Sequence, residues 1–341
     1  MNLKELSSKL GLSQTTVSRA LNGFPEVNAD TRRRVTEAAE RYNYHPNSRA
    51  KALATGCSFS IGHIIPLSTR NELVNPIFAD FIAGAGETYS RRGYDLTLSV
   101  VKDEDEEQAY RDMATKRTVD GIIVHGPRTD DPRIDLLKSI GMPFVVHGRG
   151  SNTPVDYAWV DVNNKSAFKR ATEFLLDLGH TRIALINGDE TMHFAARRRM
   201  GYEEALGAKD IPVDETIMSS RDMTEVFGYN FAKDLNKSDN PPTAYLVSSM
   251  LLAIGVRRAV QEQGLKLGED ISLITHDDDL SYLPNSGDVP MFTATQSSVR
   301  DAGQRCAEML LDLIAGEVQT PQHNLWEANL LVGASTGPQR G

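Results

Sequence analysis

The stretch LKELSSKLGLSQTTVSRALN, residues 3–22, decides how the amino-terminal part of the chain folds. Its first half carries leucines at spacings of three and four, which gives one apolar helical face. These leucines are Leu3, Leu6 and Leu10. Gly11 then permits a sharp turn, and Ser13 is placed to cap a second helix by accepting a bond from a backbone N–H. The pattern predicts helix, turn, helix, the geometry that lays a recognition helix into the major groove of DNA.

A third helix is predicted from about Asp30 to Tyr42, with Asn28 as its cap and one apolar face. An ordinary helical hairpin would also explain residues 3–22. Three helices, however, are the fewest that let each helix bury its apolar stripe in so short a segment. The sequence therefore favours a DNA-binding head of three helices.

The charge of the chain is distributed unevenly. The 341 residues carry a net charge of −9, yet residues 1–57 hold nine Lys and Arg against five acids, which is +4 and leaves −13 for the remainder. A basic head on an acidic body is expected when only the head meets phosphates. The charge pattern therefore supports a nucleic-acid partner for the head alone.

The cysteines and the apolar runs indicate the compartment. Cys57 and Cys306 are far apart and fit no disulfide framework, metal-site spacing or CxxC motif. The polar head leaves no room for a cleavable leader, and no run approaches the roughly 18 apolar residues of a membrane span. We expect a cytoplasmic protein without a membrane partner, a cofactor or a metal.

A linker separates the head from the body. His45-Pro46 ends the third helix, because the residue before proline avoids the α region. The following segment, about 47–55, predicts one or two helical turns stopped by Gly56, too short to be stable alone in water. Leu53 in this hinge is either a wedge for a minor-groove base step or a side chain that rests on the body.

Residues 3–57 resemble the head and hinge of the LacI/GalR family of bacterial transcription regulators. The resemblance rests on LSQTTVSRALNG, on VNADTRRRVTEAAERYNYHPN and on the AKAL hinge, and it continues through the body. It implies that Gln14, Thr15 and Arg19 reach base edges and that Leu53 enters the minor groove at the centre of a palindrome. An arginine can pair with guanine and a glutamine with adenine. The expected DNA contacts are Ser13, Gln14, Thr15, Thr16, Ser18, Arg19, Asn22, Asn28, Arg49, Leu53 and Ala54.

From about residue 58 the chain alternates between short apolar runs and amphipathic stretches. The predicted strands are 60–67, 94–100, 121–126, 144–148, 182–188, 244–249 and 271–277. The predicted helices are 76–92, 104–117, 163–178, 197–208, 225–235 and 250–263. This alternation predicts parallel sheets covered by helices, and the number of units exceeds one small doubly wound domain.

The expected fold class is therefore α/β, with an all-α head followed by a bilobed body of the periplasmic-binding-protein type, which the resemblance also implies. The predicted head with its hinge helix covers 1–57. The chain is expected to cross between the lobes near 158, 291 and 321. The amino-terminal lobe would then hold 58–158 and 291–321, and the carboxyl-terminal lobe 159–290 and 322–341.

Ligands of open parallel sheets bind beyond the carboxyl ends of the strands, where this chain has polar residues. The expected effector contacts are Phe78, His125, His147, Arg149, Arg198, Ser249, Asp277 and Gln296. Arg198 and Asp277 match effector-binding positions of the family, although Arg197 or Arg199 could take the place of Arg198. Each has an ordinary alternative: Phe78 as core packing, Arg198 as the partner of an acid, and Asp277 as the cap of the following turn.

The body departs from the family pattern at three places. Gly148-Arg149 stands where an aspartate commonly precedes the arginine, Ser249-Met250 replaces an Asn-Asp pair, and THDD at 275–278 replaces GFDD or GYDD. HGR, HDD and the opening segment together resemble regulators of α-glucoside uptake operons. The expected effector is therefore a mono- or disaccharide of α-glucoside type.

Catalysis is the other use of polar strand ends. His125, His147 and His276 lie near Asp277 and Asp278, so acid–base or metal chemistry is conceivable. The chain lacks a G-x-S-x-G elbow, a P-loop, H-x₃-H spacing and a nucleotide-binding glycine fingerprint. The glycines of IAGAGE lie in a predicted helix and are expected to permit close packing. The sequence does not predict an enzyme.

The resulting prediction is a dimeric repressor of a carbohydrate-utilisation operon, in which a sugar between the lobes changes the spacing of the hinge helices on palindromic operator DNA. No leucine heptads follow LWEANLLVG, so a dimer rather than a tetramer is expected. Two alternatives stay open: a sugar-binding or sugar-modifying protein with a vestigial head, and a regulator controlled by a protein partner. Whether the sugar releases or promotes DNA binding also stays open.

Overall fold

A computed structural model describes the chain in the ranges 1–21, 23–44, 56–67, 75–150 and 156–340. It divides into two compact units, Met1–Phe59 and Ser60–Gly341, so the unit boundary lies two residues beyond the predicted one at 57. The predicted hinge helix at about 47–55 lies outside the described residues, and so do Asn22, Arg49, Leu53 and Ala54.

The described part of the first unit contains three helices, α1 (Leu3–Leu10), α2 (Gln14–Leu21) and α3 (Ala29–Arg41), as the sequence predicts. Gly11 ends α1 in the left-handed conformation, which glycine adopts without steric cost. Asn28 caps α3 by accepting a bond from the Thr31 N–H. The three helices pack on a shared core of Leu6, Val17, Ala20, Val27, Val35, Ala38, Ala39 and Tyr44.

The second unit is built on two six-stranded sheets, each covered by helices. The first sheet has the order β11-β5-β4-β3-β1-β2, and the second has the order β12-β10-β9-β8-β6-β7. The strands are β1 Ser60–Pro66, β2 Asp95–Val101, β3 Gly121–His125, β4 Phe144–His147, β5 Ala158–Val162, β6 Ile183–Asn187, β7 Met218–Ser220, β8 Ala244–Val247, β9 Ser272–Asp277, β10 Thr293–Gln296, β11 His323–Trp326 and β12 Asn329–Leu331. Every pairing is parallel except that of β10 with β12.

Helices follow most of the strands, which is the arrangement expected when both faces of a parallel sheet are buried. They are α4 Pro76–Arg92, α5 Glu106–Lys116, α6 Pro132–Ser139, α7 Asn164–Asp177, α8 His193–Gly207, α9 Glu225–Leu235, α10 Met250–Glu262 and α11 Val299–Ala315. The predicted α/β class with a helical head is thereby confirmed. Across the described ranges, no helix has the length and apolar character needed to cross a membrane.

The chain passes between the two sheets later than predicted at each of the three crossings. The first lobe retains β5 and β11, whereas the second lobe retains β10 and β12, so the passages fall after Val162, Gln296 and Trp326. The predicted crossings near 158, 291 and 321, and the lobe ranges built on them, are therefore wrong by about five residues. The physical reason is that β5 and β10 each pair with the strand before them, so the chain leaves each sheet only after adding one more strand to it.

Glycines set the distance between the helices that cover each sheet. A Cβ on Gly84 of α4 would lie 2.0 Å from the carbonyl oxygen of Arg300 on α11. In the second lobe, a Cβ on Gly201 of α8 would lie 2.2 Å from the carbonyl oxygen of Lys165 on α7. The predicted role of the IAGAGE glycines is therefore confirmed for Gly84 but wrong for Gly86, which faces open space.

Candidate functional site

The second helix of the head presents a polar surface. Gln14, Thr15 and Arg19 are exposed on α2, while Val17 and Ala20 of the same helix are buried against the other two helices. This separation places the residues predicted to read base edges on the solvent side of the helix. The geometry is the one in which the first turns of a recognition helix can enter a groove.

Other predicted DNA contacts also have structural roles in the head. The Ser13 hydroxyl caps α2 by accepting a bond from the Thr16 N–H at 3.0 Å, and it lies 2.9 Å from the Thr16 hydroxyl. Asn28 uses its side-chain oxygen for the cap of α3 and remains exposed. Ser18 is half-buried. Ser13 and Asn28 thus hold the starts of α2 and α3 in place, and helix starts are also where backbone N–H groups can meet phosphates.

The second unit contains a cavity of about 240 Å³ lined by residues from both lobes. Of the predicted effector contacts, five line it: Phe78, His125, His147, Arg149 and Arg198. The strands of both sheets end at this cavity, as expected for ligand sites of parallel sheets. Within the described part of the chain, no group of three or more His, Cys, Asp or Glu side chains is arranged to hold a metal ion.

Arg198 on α8 is the central cation of the second lobe's wall. Its Nε donates to the Asn164 side-chain oxygen at 2.8 Å, and its Nη1 donates to the Ser248 carbonyl oxygen at 2.7 Å. The guanidinium carbon lies 5.0 Å and 4.9 Å from the ring centroids of Phe168 and Phe194. Burial lowers the pKa of Arg198 to about 10, which leaves it charged at neutral pH. The prediction of Arg198 rather than its neighbours agrees with this placement, since Arg199 instead pairs with surface glutamates.

Asp278 supplies the negative charge on the same wall. Burial alone would raise its pKa, but His276, whose Nε2 lies 3.5 Å from Oδ1, and the charge of Arg198 outweigh that effect and lower it. The carboxylate is therefore held ionised in a half-buried position. A half-buried carboxylate and a buried guanidinium on one wall can each hold two hydroxyl groups of a polyol.

A second arginine, Arg149, lines the cavity from the first lobe. Arg149 follows β4, and its Nε donates to Asp161 Oδ2 at 2.6 Å. Its guanidinium carbon lies 5.0 Å from the Trp159 ring centroid. Burial raises the pKa of Asp161, which the arginine partly opposes. Arg149 is therefore an internally paired cation at the edge of the cavity.

One part of the first lobe's wall is made of neutral aromatic groups. His125 and His147 end the neighbouring strands β3 and β4, and the centroid of the Phe81 ring lies 4.8 Å and 4.5 Å from theirs. The Phe78 ring meets His125 edge-on with a centroid distance of 5.1 Å. Burial lowers the pKa of His147 to about 4 and that of His125 well below its usual value. Both rings are uncharged at neutral pH.

Glu106 and Arg133 add a charged corner to this wall. Arg133 donates to both oxygens of Asp131, and its Nη2 donates to the carbonyl oxygen of His125 at 3.1 Å. Its Nη1 lies 3.4 Å from Glu106 Oε1. Burial raises the pKa of Glu106, and Arg133 opposes that shift. The network anchors the loop after β3, and with it the position of His125.

Three predicted effector contacts do not line the cavity. Asp277 accepts from the Asp279 N–H and from the Gln296 side-chain amide, and neither Asp277 nor Gln296 is among the lining residues. The alternative interpretation of Asp277 as a cap of the following turn is thus the observed one. Because side chains alternate along a strand, His276 and Asp278 take the cavity side instead. Ser249 caps α10 through the Leu252 N–H, and its neighbour Ser248 lines the cavity.

Several lining residues were not predicted as effector contacts. They are Glu106, Arg128, Asp131, Arg133, Asp161, Asn164, Met192, Phe194, Met223, Ser248 and Asp278. Asp278 stands directly after the predicted residue Asp277. Asn164 lies near the start of a predicted helix, which was the available signal for it. Some of the others depend on distant partners, as Arg133 does on Glu106 at 3.4 Å.

Comparison with known proteins places both units. Residues 2–47 match the bacterial regulatory proteins of the lacI family, and residues 60–330 match the periplasmic binding proteins and sugar binding domain of the LacI family. The HTH-type transcriptional regulator AglR of Rhizobium meliloti (strain 1021) is 46% identical over 339 residues, which cover 99% of this chain and 95% of that protein. The regulator RafR of Escherichia coli is 32% identical over 324 residues and 93% of each chain.

Solved structures agree with the fold. The lac repressor dimer bound to operator and the anti-inducer ONPF aligns over 99% of each chain with a TM-score of 0.84 and 26% identity. The transcriptional regulator CelR in complex with cellobiose aligns over 98% of this chain and 99% of that chain, with a TM-score of 0.71 and 27% identity. The predicted resemblance is thereby confirmed, and the relatives are regulators rather than enzymes. The chain belongs to the LacI family of bacterial regulatory proteins and is a DNA-binding transcription regulator.

Proposed function

We propose that this chain is a dimeric repressor of a carbohydrate-utilisation operon, and that an α-glucoside-like mono- or disaccharide in the cavity controls its affinity for operator DNA. The observation that carries the proposal is the cavity itself. It combines a buried guanidinium and a half-buried carboxylate on one wall with aromatic rings on the other. Sugars present hydroxyl groups around a ring with apolar faces. The charged groups on one wall can bind the hydroxyl groups, and the aromatic rings on the other can pack against the apolar faces.

The cavity favours a neutral sugar over a phosphorylated one. A phosphate group needs cations that are free to pair with it. Arg133 and Arg149 are already paired with Asp131 and Asp161, each at 2.6 Å. Asp278 adds a negative charge that would repel a phosphate. An uncharged mono- or disaccharide therefore fits the electrostatics best.

The eight expected contacts are revised accordingly. We retain Phe78, His125, His147, Arg149 and Arg198 as effector contacts. In place of Ser249, Asp277 and Gln296 we propose Ser248, Asp278 and Asn164, which line the same cavity.

The head is proposed to read a palindromic operator as a pair. Gln14, Thr15 and Arg19 are assigned to base edges, because their exposed side chains can form directed hydrogen bonds to them. The arginines of α3 are assigned to phosphates, which position the protein on the duplex. A similar protein, the lac repressor, is described as a dimer bound to operator, which supports the dimer. Since the target is chromosomal DNA, we assign the protein to the cytoplasm.

The cavity is lined by both lobes, and this position can couple sugar binding to operator binding. A ligand held by residues of both lobes favours one arrangement of the lobes over others. If that arrangement changes how two heads meet adjacent half-sites, sugar and operator alter each other's affinity by the same factor. The polar lining disfavours control by a protein partner alone, and turnover of a sugar would instead support a sugar-modifying protein.

The first test measures operator affinity by fluorescence anisotropy while maltose, trehalose or sucrose is titrated. The operator is selected from random duplexes with the purified full-length protein. We expect one of these α-glucosides to change operator affinity at least tenfold, and operator DNA to change sugar affinity by the same factor. A sugar that binds without any effect on operator affinity contradicts the coupling. Absence of any preference for an inverted repeat over random duplex contradicts the regulator itself.

The second test separates base reading from phosphate binding. Arg19→Ala is expected to lower affinity for the selected operator by about 1–3 kcal/mol while leaving random duplex nearly unchanged. Arg33→Ala, in a helix assigned to phosphates, is the matched control and should weaken both duplexes alike and reduce the salt dependence. Equal losses on both duplexes for Arg19→Ala would remove it from the base-reading set.

A further inference from the structure

A row of polar rings runs from the cavity into the core of the first lobe. His63 Nδ1 on β1 lies 2.8 Å from His125 Nε2, and His63 Nε2 lies 3.1 Å from the Tyr89 hydroxyl on α4. His63 is fully buried and Tyr89 is nearly so, whereas His125 reaches the cavity. Both distances are those of hydrogen bonds, so the three side chains form one continuous chain.

The three side chains of this hydrogen-bonded row are all neutral. Burial lowers the pKa of His63 to about 3 and raises that of Tyr89 well above its usual value. Each histidine therefore carries one N–H, and the other ring nitrogen must accept. Such a chain has two self-consistent directions of donation, and they give His125 opposite tautomers.

Counting protons distinguishes the two directions. In one, Tyr89 donates to His63 Nε2, His63 Nδ1–H donates to His125 Nε2, and His125 carries its proton on Nδ1. In the other, every donation is reversed, and the Tyr89 hydroxyl proton must find a different acceptor. Within the described ranges the bonded partner of that hydroxyl is His63, although the Cys306 thiol lies nearby. A buried hydroxyl proton without an acceptor disfavours the second direction by on the order of tenfold or more.

We propose that Tyr89 and His63 are positioning residues that fix His125 in the Nδ1–H tautomer, so that His125 donates a hydrogen bond into the cavity. The rings of Phe78 and Phe81 meet His125 edge-on and oppose its rotation. The donor is thus fixed in direction as well as in protonation. None of these side chains is charged, so the row selects a ligand atom only by whether that atom accepts or donates a hydrogen bond.

The counterpart of this donor is an oxygen acceptor on the effector, and this part of the inference rests on the proposed function. A ring oxygen or a glycosidic oxygen has no proton and can only accept. It is matched by the Nδ1–H tautomer and would be opposed by the other one. A hydroxyl could adapt to either tautomer, so the ether oxygens of an α-glucoside are the groups that this device selects.

The direct test is NMR of full-length protein with isotope-labelled histidine, which distinguishes protonated from bare ring nitrogens. A His125→Gln variant serves only to assign the His125 signals. We expect a bare Nε2 and a protonated Nδ1 for His125 in the sugar-free protein. A proton on Nε2 would mean that donation runs from the cavity to Tyr89, and the proposal would be wrong.

Two variants of His63 make the role of the chain specific. In His63→Asn the side-chain amide N–H takes the position of Nδ1–H, so donation to His125 is kept. In His63→Leu it is lost. We expect maltose affinity within about twofold of the original for Asn and a three- to tenfold loss for Leu, together with a proton divided between the two His125 nitrogens. Equal losses in both variants with an unchanged tautomer would indicate a merely structural role and overturn the proposal.

Tyr89→Phe provides a second approach, because it removes only the hydroxyl at the far end and keeps the ring that packs in the core. A detectable share of the His125 proton should then move to Nε2, and an unchanged tautomer would contradict the proposal. The NMR result requires no sugar. If none of the α-glucosides binds the original protein, the proposed function is wrong, but the NMR measurement still determines the tautomer of His125.

Discussion

The two walls of the cavity recognise a ligand by different physical means. The second lobe offers ions: Arg198 is buried, Asp278 is half-buried, and both are charged. The part of the first lobe's wall beside Phe78 offers neutral rings, since burial keeps His125 and His147 uncharged, and the charges elsewhere on that wall are paired internally, as in Arg133–Glu106 and Arg149–Asp161. Ion–hydroxyl hydrogen bonds are stronger than neutral ones but adapt to many hydroxyl patterns. The comparison indicates that the charged wall supplies most of the affinity and the neutral wall most of the selectivity.

The charged wall also depends on a more elaborate support. A buried ion is stable only where surrounding dipoles replace its hydration. Arg198 obtains this from Asn164, from a backbone carbonyl and from two aromatic faces. The neutral wall requires only packing and single hydrogen bonds. Substitutions on the charged wall should therefore have the larger effects.

The largest effect is expected for Arg198→Lys. Lysine keeps the charge but cannot donate in two directions from one plane, so both hydrogen bonds of the guanidinium fork cannot be kept. We expect sugar affinity to fall by about 3 kcal/mol, over a hundredfold, measured by calorimetry. Arg199→Lys is the control, because Arg199 pairs with Glu190, Glu203 and Glu215 at the surface. Similar losses in both variants would contradict the placement of the ligand at Arg198.

The support beneath the neutral wall can be tested with two glycines of one helix. Gly84→Ala should lower the free energy of unfolding by about 2 kcal/mol, because its methyl group would meet the backbone of α11. Gly86→Ala in the same helix should raise it by about 0.5–1 kcal/mol, since alanine is the better helix former and the space is open. Chemical denaturation of the two variants measures both values. A stable Gly84→Ala protein would show that the two helices can separate at little cost.

Much of this architecture could be predicted from the sequence, and the failures have a common cause. Periodicity and caps predicted the three head helices, and alternating apolar runs predicted most of the strands. The period of a strand does not reveal which of two neighbouring residues faces a cleft, and the family resemblance points to Asp277 and Ser249, whereas Asp278 and Ser248 line the cavity. The predicted crossings fall too early because neither β5 nor β10 is among the predicted strands.

The contacts that connect distant parts of the chain could not be predicted at all. His63 lies within a strand-like run, and nothing nearby marks it. Its importance comes from Tyr89 and His125, which are 26 and 62 positions away. Arg133 and Glu106 are likewise 27 positions apart. Local patterns determine elements, whereas these networks depend on the three-dimensional arrangement of elements.

Asp278→Asn probes the charged wall more gently. The amide keeps one acceptor oxygen but loses the charge, so we expect about a tenfold loss of sugar affinity, roughly 1.4 kcal/mol. Asp277→Asn is the matched control one residue away. Its side chain bonds to the Asp279 N–H and to Gln296 rather than to the cavity, so sugar affinity should stay within about twofold. A greater loss of sugar affinity for Asp277→Asn than for Asp278→Asn would indicate that the sugar binds Asp277, as the sequence predicts, and not Asp278.

The smallest effect concerns the neutral wall and pH. The pKa of His147 is about 4 in the folded protein against 6.5 for the free side chain, so below pH 6.5 the unfolded chain takes up a proton that the folded one refuses. Above pH 6.5 neither state binds this proton, so the free energy of unfolding is unaffected by it. As the pH falls from 6.5 towards 4, protonation of the unfolded chain lowers the free energy of unfolding. Between pH 6 and 5 this histidine should cost about 1 kcal/mol of unfolding free energy. Asparagine in His147→Asn cannot titrate. Between pH 6 and 5 the free energy of unfolding of this variant, measured by urea denaturation, should therefore fall by about 1 kcal/mol less than that of the original protein. The same pH dependence in both proteins would mean that the ring is charged when folded, and the contrast between a neutral and an ionic wall would not hold.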